Sequence, residues 1–342
     1  MTRRALVVTR PFEIAVLQRP ELTPGPDEVL ARPVYVGMCG TDIELLEGEV
    51  DPDFVRYPLT LGHEWSGVVE AVGPGVTGVA PGDAIVAEGI VPCGACEACR
   101  RGATNVCEIY DELGFTREGA ASDQLLVPAR LVHRLGTDVP LLDGALVEPA
   151  SVVLQALQKV GVHPGDRVLV LGDGTIALLA VQLAALWSPA TIAVVGRRAV
   201  QRDLALAAGA TSFDTSDDVA TRRFDVVVEA AGAVAAIRTA VAAVRRGGRV
   251  ALLGYAGAGV DVPLPVDDLV NDDLTIVTSF GYTAAAWHRV VELVNARAIN
   301  PSTLVTHRFD LNDYAGAFAA LRGAEGPRGK VILEVGAAPD RA

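Results

Sequence analysis

VLVLGDGTIALLAVQLA, residues 168–184, opens with four apolar residues and closes as a run rich in Ala and Leu. The first part reads as a buried strand, the second as a helix. Gly172-x-Gly174-x-x-Ala177 lies between them, where a tight turn can bring a pyrophosphate onto the helix N-terminus. Alone this motif is weak; the strand–loop–helix context gives it meaning. Asp173, between the glycines, is expected to point away from the phosphates. Around this unit come DRVLVLG, TIAVVGR, FDVVVEAAG, GGRVALLGY and LTIVTSFG, short apolar runs separated by helical stretches. Their rhythm predicts a parallel sheet with helices on both faces.

The 342 residues suit roughly two domains of about 100–200 residues. Half the chain is hydrophobic, and its 35 Gly and 20 Pro imply a loop-rich globular protein. A net charge of -13 argues against a phosphate-backbone partner or an anionic membrane surface. Arg10, Pro11 and Glu13 break the first apolar run, so the start reads as a strand rather than a signal peptide. No stretch reaches the roughly 18 apolar residues of a membrane span. The expectation is a soluble, cytoplasmic protein with no nucleic-acid or membrane partner.

Four of the five cysteines stand in CGACEACRRGATNVC, residues 93–107. In a reducing compartment such a cluster reads as metal-binding. Cys93, Cys96, Cys99 and Cys107, spaced C-x2-C-x2-C-x7-C, can converge into a tetrahedron of thiolates, a closed structural zinc site. The fifth, Cys39, sits in GMCGTD (37–42), followed by His63 in LGHEWSGVV (61–69). Both are zinc-ligand types placed next to glycines. The Gly- and Pro-punctuated short strands that follow suggest a small, barrel-like β domain.

GMCGTD, GHEWSGVVEAVGPGV, PGDAIV, the four-cysteine loop, VEPASV and the glycine-rich segment together resemble the zinc-dependent medium-chain dehydrogenases. The family includes alcohol, sorbitol, threonine and glucose dehydrogenases, and the resemblance covers nearly the whole chain. It implies an α/β chain: a GroES-like β-rich catalytic domain at 1–150 and 286–342, and a Rossmann doubly wound parallel-sheet domain at 151–285, with the active site in the cleft between them. It also implies two zinc ions per chain. Cys39 and His63 would hold the catalytic one, with Glu148 as third ligand and Glu64 as the alternative carboxylate. Asp42 would orient the His63 ring. Thr41 is the family's hydroxyl position for the substrate proton, and Glu44 stands where many relatives carry a relay histidine.

The implied reaction is reversible hydride transfer between a small alcohol or carbonyl substrate and a nicotinamide. The favoured substrates are a polyol, sugar, amino-sugar or cyclitol. Simple apolar alcohols or aldehydes remain open, as does a non-catalytic nucleotide sensor holding structural zinc alone. Cofactor contacts are expected from Gly172, Gly174, Thr175 and Ile176, and from the later strand ends with Ala231, Gly254, Tyr255 and Ser279. At the end of TIAVV, where an acid would bind the adenosine ribose hydroxyls of NAD, stand Gly196, Arg197 and Arg198. A small residue followed by guanidinium groups favours the 2′-phosphate of NADP(H) over NAD(H). A homodimer or homotetramer is expected.

Overall fold

A computed structural model describes residues 2–216, 221–323 and 326–337. Of these, residues 2–148, 283–323 and 330–337 form one compact unit, and 149–216, 221–282 and 326–329 a second. The sequence reading gave residues 326–329 to the first domain. They join the second because backbone atoms of Arg328 bond the side chain of Gln201.

In the first unit a seven-stranded sheet runs in the order Val305–Asp310, Lys330–Glu334, Glu28–Met38, Glu64–Val72, Ala84–Ala87, Val132–Arg134, with Leu125–Pro128 also pairing with Glu28–Met38. A smaller sheet joins Glu13–Pro20, Thr2–Arg10 and Leu59–Thr60. Leu6, Trp65, Ile85, Leu125 and Leu333 fill the core between them. Alternation of Trp65 and Val69 with polar neighbours is weak because Glu64–Val72 is buried over most of its length. The register sets the chemistry: Gly37 pairs with Glu64 on one side and Ile332 on the other. Cys39 emerges where the central strand ends, and His63 stands just before the neighbouring strand begins.

The second unit is a six-stranded sheet, parallel throughout, ordered Ser212–Asp214, Thr191–Val195, Arg167–Leu171, Phe224–Glu229, Val244–Leu252, Thr275–Thr278. The order reverses beside Arg167–Leu171, the arrangement that opens a crevice at the carboxyl ends of the strands. Leu169, Leu171, Val227 and Val250 pack against Ala240 and Ala243 of the helix Val234–Ala243. Strands covered on both faces must be apolar continuously, which explains the unbroken VLVL and VVV runs. Among the described residues no helix is long and apolar enough to cross a membrane.

Candidate metal centres and nucleotide-binding crevice

The four-cysteine loop closes on itself. Cys93 Sγ lies 3.9 Å from Cys99 Sγ, and Cys96 Sγ 3.9 Å from Cys107 Sγ. A disulfide would need about 2.05 Å, whereas thiolates about 2.3 Å from a tetrahedral zinc stand about 3.8 Å apart. The sulfur spacing therefore fits the ion and not a bridge. Backbone amides are aimed at the sulfurs: those of Ala95 and Cys96 at Cys93, that of Cys99 at Cys96, and that of Cys93 at Cys107. Amides of Glu108 and Cys99 draw the Cys96 thiol down to about 6, while burial and neighbouring sulfurs push Cys99 up to about 12. The amides aimed at Cys93 and Cys96 favour negative sulfur at those two positions.

The second centre is assembled around a helix start. Cys39 is the N-cap of the helix Gly40–Glu47; its sulfur accepts from the Thr41 amide at 3.3 Å, and Asp42 accepts from the Cys39 amide at 2.9 Å, closing a capping box. His63 Nε2 faces the Cys39 sulfur at 3.3 Å. Sulfur and nitrogen on one tetrahedral zinc stand about 3.5 Å apart, so this pair also fits the ion. Glu64 completes a three-residue group whose ligand atoms all lie within 4.8 Å. Glu148, the expected third ligand, lies outside that group. Asp42 Oδ1 stands 4.0 Å from His63 Nδ1, beyond hydrogen-bond range, and neither atom has another hydrogen-bond partner. Thr41 and the exposed Glu44 follow on the same helix.

Charge around this pair is unbalanced. Burial works against ionised His63, but the Cys39 sulfur, then Asp42 and Glu148, hold the imidazolium well above its ordinary range. Burial, then repulsion from Glu64, pushes Glu148 up to about 8; burial pushes Glu112 up to about 7. Against Cys39, Asp42, Glu64, Glu112 and Glu148 stand His63 and one lysine. A divalent cation offsets such an acidic excess.

Sequence reasoning missed that lysine. Lys330 is 1% exposed and ion-pairs with Glu64, which is 2% exposed. A Cβ on Gly37 would lie 2.3 Å from Glu64 Oε2 and 2.8 Å from Lys330 Cε, so only glycine leaves room for the pair. Glu112 was missed too. It accepts from the Tyr110 hydroxyl, and its neighbour Phe115 packs on the His63 ring with centroids 5.2 Å apart.

In the second unit, Gly172 has φ +126°, and a Cβ there would meet the backbone of Ala230 at 3.1 Å. Gly174 caps the helix Thr175–Ala184 without a side chain, and a Cβ on it would meet nothing within 4 Å. Uncapped amides facing open space suit a phosphate. Thr175 and Ile176 head this helix, and Gly196, Ala231, Gly254, Tyr255 and Ser279 each follow a strand of the sheet. Ala231 and Gly232 amides both donate at 2.8 Å to Glu229, a fully buried carboxylate that ties this strand end together.

Asp173 turns toward the arginines. Its Oδ2 accepts from the Arg197 and Arg198 amides, each at 2.9 Å; its Oδ1 accepts from Arg198 Nη2 at 2.8 Å and Nε at 3.2 Å. Burial opposes the charge, but Arg198 and these amides hold the carboxyl below its ordinary range. Arg198 is thus engaged by Asp173, and Arg197 alone of the two presents an exposed side chain.

A family profile described as the alcohol dehydrogenase GroES-like domain matches residues 25–137, and one described as the glucose dehydrogenase C-terminus matches 142–325. The chain is 30% identical over 337 residues to the sorbitol dehydrogenase of Halalkalibacterium halodurans, covering 94% of this chain and 97% of that one. It is 32% identical over 344 residues to the sorbitol dehydrogenase of Gallus gallus, covering 96% of each. A Sinorhizobium meliloti chain assigned as a zinc-binding dehydrogenase, solved bound to NADP, matches with TM-score 0.92 and 29% identity over 98% of this chain and 100% of its own. Galactitol-1-phosphate dehydrogenase of Escherichia coli matches at TM-score 0.87 and 28% identity over 97% and 100%.

Proposed function

The chain belongs to the zinc-dependent medium-chain dehydrogenase/reductase family, and from that premise we propose a polyol or sugar alcohol as substrate, NADP(H) as preferred cofactor and two zinc ions per chain. The observation that carries the substrate reading is the cluster of carboxyl groups around His63: buried Glu64 and Glu112 and half-buried Glu148. A substrate with several hydroxyl groups is better matched to so polar and acidic a surrounding than an apolar alcohol is. The sorbitol and galactitol-phosphate relatives support the same reading.

Zinc supplies a Lewis acid for the alcohol oxygen and the nicotinamide carries the hydride. The chain does the rest. Cys39, His63 and a carboxylate hold the first ion; Glu64 is nearest, and Glu148 is the alternative, directly or through water. Cys93, Cys96, Cys99 and Cys107 hold the second. Thr41 takes part in removing the alcohol proton. Glu44, whose carboxyl partial burial and Glu49 push up, passes it to solvent. The crevice at the strand ends receives the cofactor through Gly172, Gly174, Thr175, Ile176, Ala231, Gly254, Tyr255 and Ser279, with Gly196, Arg197 and Arg198 at the adenosine end. Five unbridged cysteines suit a reducing, cytoplasmic setting. A second copy is proposed on the open edge strand Thr275–Thr278, beside which Val266 and Val270 are 63% and 74% exposed.

The test is a screen of polyols, aldoses and aliphatic alcohols with NADP and NAD, read by nicotinamide absorbance, on protein whose zinc content is measured first. The highest kcat/KM should fall on a polyol or sugar alcohol with NADP. A best substrate among aliphatic alcohols overturns the substrate reading, and a clear preference for NAD the cofactor reading. One zinc per chain with no turnover would favour a nucleotide sensor.

A further inference from the structure

Glu229 closes the strand Phe224–Glu229 and is 0% exposed. Its backbone is held on both sides, in register with Leu171 on one neighbouring strand and Leu252 on the other. Its side chain folds under the turn that follows, where Oε1 accepts the amides of Ala231 and Gly232, each at 2.8 Å. Oε2 is buried and has no hydrogen-bond partner. A Cβ on Gly254 would lie 2.9 Å from Oε2, so the end of the next strand closes over it.

Other acids of this unit are matched by cations. Asp225 has Arg167 and Arg245, Asp272 has Arg222, Asp166 has Arg249 and Asp173 has Arg198. Among the described residues no side-chain cation pairs with Glu229; burial raises its proton affinity and only strand-end amides oppose the rise. A carboxylate buried without a countercharge is costly and calls for an explanation. Its place in the sheet supplies one. The order reverses beside Arg167–Leu171, so Thr191–Val195 and Ser212–Asp214 belong to the adenosine half of the crevice, and Phe224–Glu229, Val244–Leu252 and Thr275–Thr278 to the nicotinamide half. Glu229 ends the strand beside the glycine turn: a Cβ on Gly172 would meet the Ala230 backbone at 3.1 Å. Above the carboxylate, Ala231 is exposed. The oxidised nicotinamide ring carries one positive charge, and the reduced ring, having accepted a hydride, carries none.

We propose that Glu229 is the buried counter-charge to the oxidised nicotinamide ring, so that the protein discriminates between the oxidised and reduced forms of its cofactor by charge as well as by shape. Stabilising the cation biases the bound reactants toward the oxidised cofactor and the alcohol, the direction of carbonyl reduction. The argument holds for either dinucleotide and goes beyond the reading above.

The experiment titrates zinc-loaded protein by calorimetry with NADP⁺ against NADPH and NAD⁺ against NADH, and with ADP-ribose, which lacks the nicotinamide ring. Glu229→Gln keeps the shape and an acceptor for both amides while removing the charge. It should weaken the oxidised form by roughly tenfold and leave the reduced form and ADP-ribose within about twofold. Glu229→Asp, which keeps the charge on a shorter stem, should hold the oxidised-to-reduced affinity ratio near that of wild type even where it loses affinity for both. Equal weakening of both forms in Glu229→Gln would make Glu229 a structural clip and defeat the proposal, as would an unchanged ratio. A measurement on unaltered protein needs no variant to fold: NAD⁺ should bind at least roughly fivefold more tightly than benzamide adenine dinucleotide, whose ring has the same outline and no charge. Equal binding of the two overturns the counter-charge. Because the ratio is taken within one dinucleotide, either failure leaves the substrate and NADP(H) readings standing.

Discussion

Gly37→Ala is the sharpest perturbation of the first unit. The new Cβ would stand 2.3 Å from Glu64 Oε2, 2.8 Å from Lys330 Cε and 3.0 Å from Glu64 Cβ. Ordinary carbon contacts begin near about 3.5 Å, so the carboxylate must retreat by more than about 1 Å. Side-chain torsions are softer than the strand ladder that pairs Gly37 with Glu64 and Ile332. The carboxylate therefore leaves Lys330, and two buried charges lose their partner. Breaking a buried pair costs about 3–5 kcal/mol, above the about 1–3 kcal/mol of overpacking alone. For a unit of this size that lowers the melting midpoint by roughly 10 °C. Glu64 also leaves the Cys39–His63 group. A mild chelator should then strip one zinc per chain from the variant faster than from wild type, while the four-cysteine site keeps its ion. Calorimetry and metal analysis check both effects. A variant with the wild-type midpoint and wild-type chelator resistance would falsify the close-packed account of the Glu64–Lys330 pair.

Three further outcomes follow from the two centres. Cys96→Ser should lower stability and solubility together with zinc content, because a closed thiolate site contributes directly to folding, while Cys39→Ser should leave a folded chain without turnover; equal unfolding in both would show that the roles are not divided. Glu64→Ala should lower zinc occupancy at the Cys39 centre more than Glu148→Ala does, and the reverse order would restore Glu148 as the third ligand. In zinc-stripped protein the melting midpoint should fall by several degrees as pH rises from about 5 to about 8: His63, Glu112 and Glu148 are all raised when folded, to about 7 and about 8 for the two acids, so the native chain retains protons that the unfolded chain has released. Zinc should flatten this slope by taking the proton's place between His63 and Cys39, and a midpoint that rises with pH in the stripped protein would contradict the assignment.

Local spacing made the cysteine loop, the glycine turn and the strand-helix alternation readable in the sequence, because each is fixed within about twenty residues. The partners of those motifs were not readable. Lys330 meets Glu64 through a sheet register that brings the chain's last described strand against Glu28–Met38. A lysine opening the apolar run VILEV was the one available signal. Gln201 and Arg328 meet across 127 residues, and nothing in GPRGK marks its arginine as a partner of Gln201. Arg198 illustrates the limit differently. Its residue type suited a phosphate, but Asp173, 25 positions earlier, engages its guanidinium at 2.8 Å. Asp42 had the right place in sequence and stops at 4.0 Å from the imidazole.

The space shared by Asp173 and Gly196 constrains any redesign of the nucleotide crevice. Installing an acid at 196, the obvious way to redirect such an enzyme toward NAD, would drive a side chain into Asp173, whose Cβ lies 2.5 Å from the site. Removing Asp173 first would strip Arg198 of its partner and the Arg197 and Arg198 amides of their acceptor. Each single step is unfavourable, whereas exchanging both residues together avoids the clash. The two positions are coupled, so a side chain at 196 requires a smaller residue at 173.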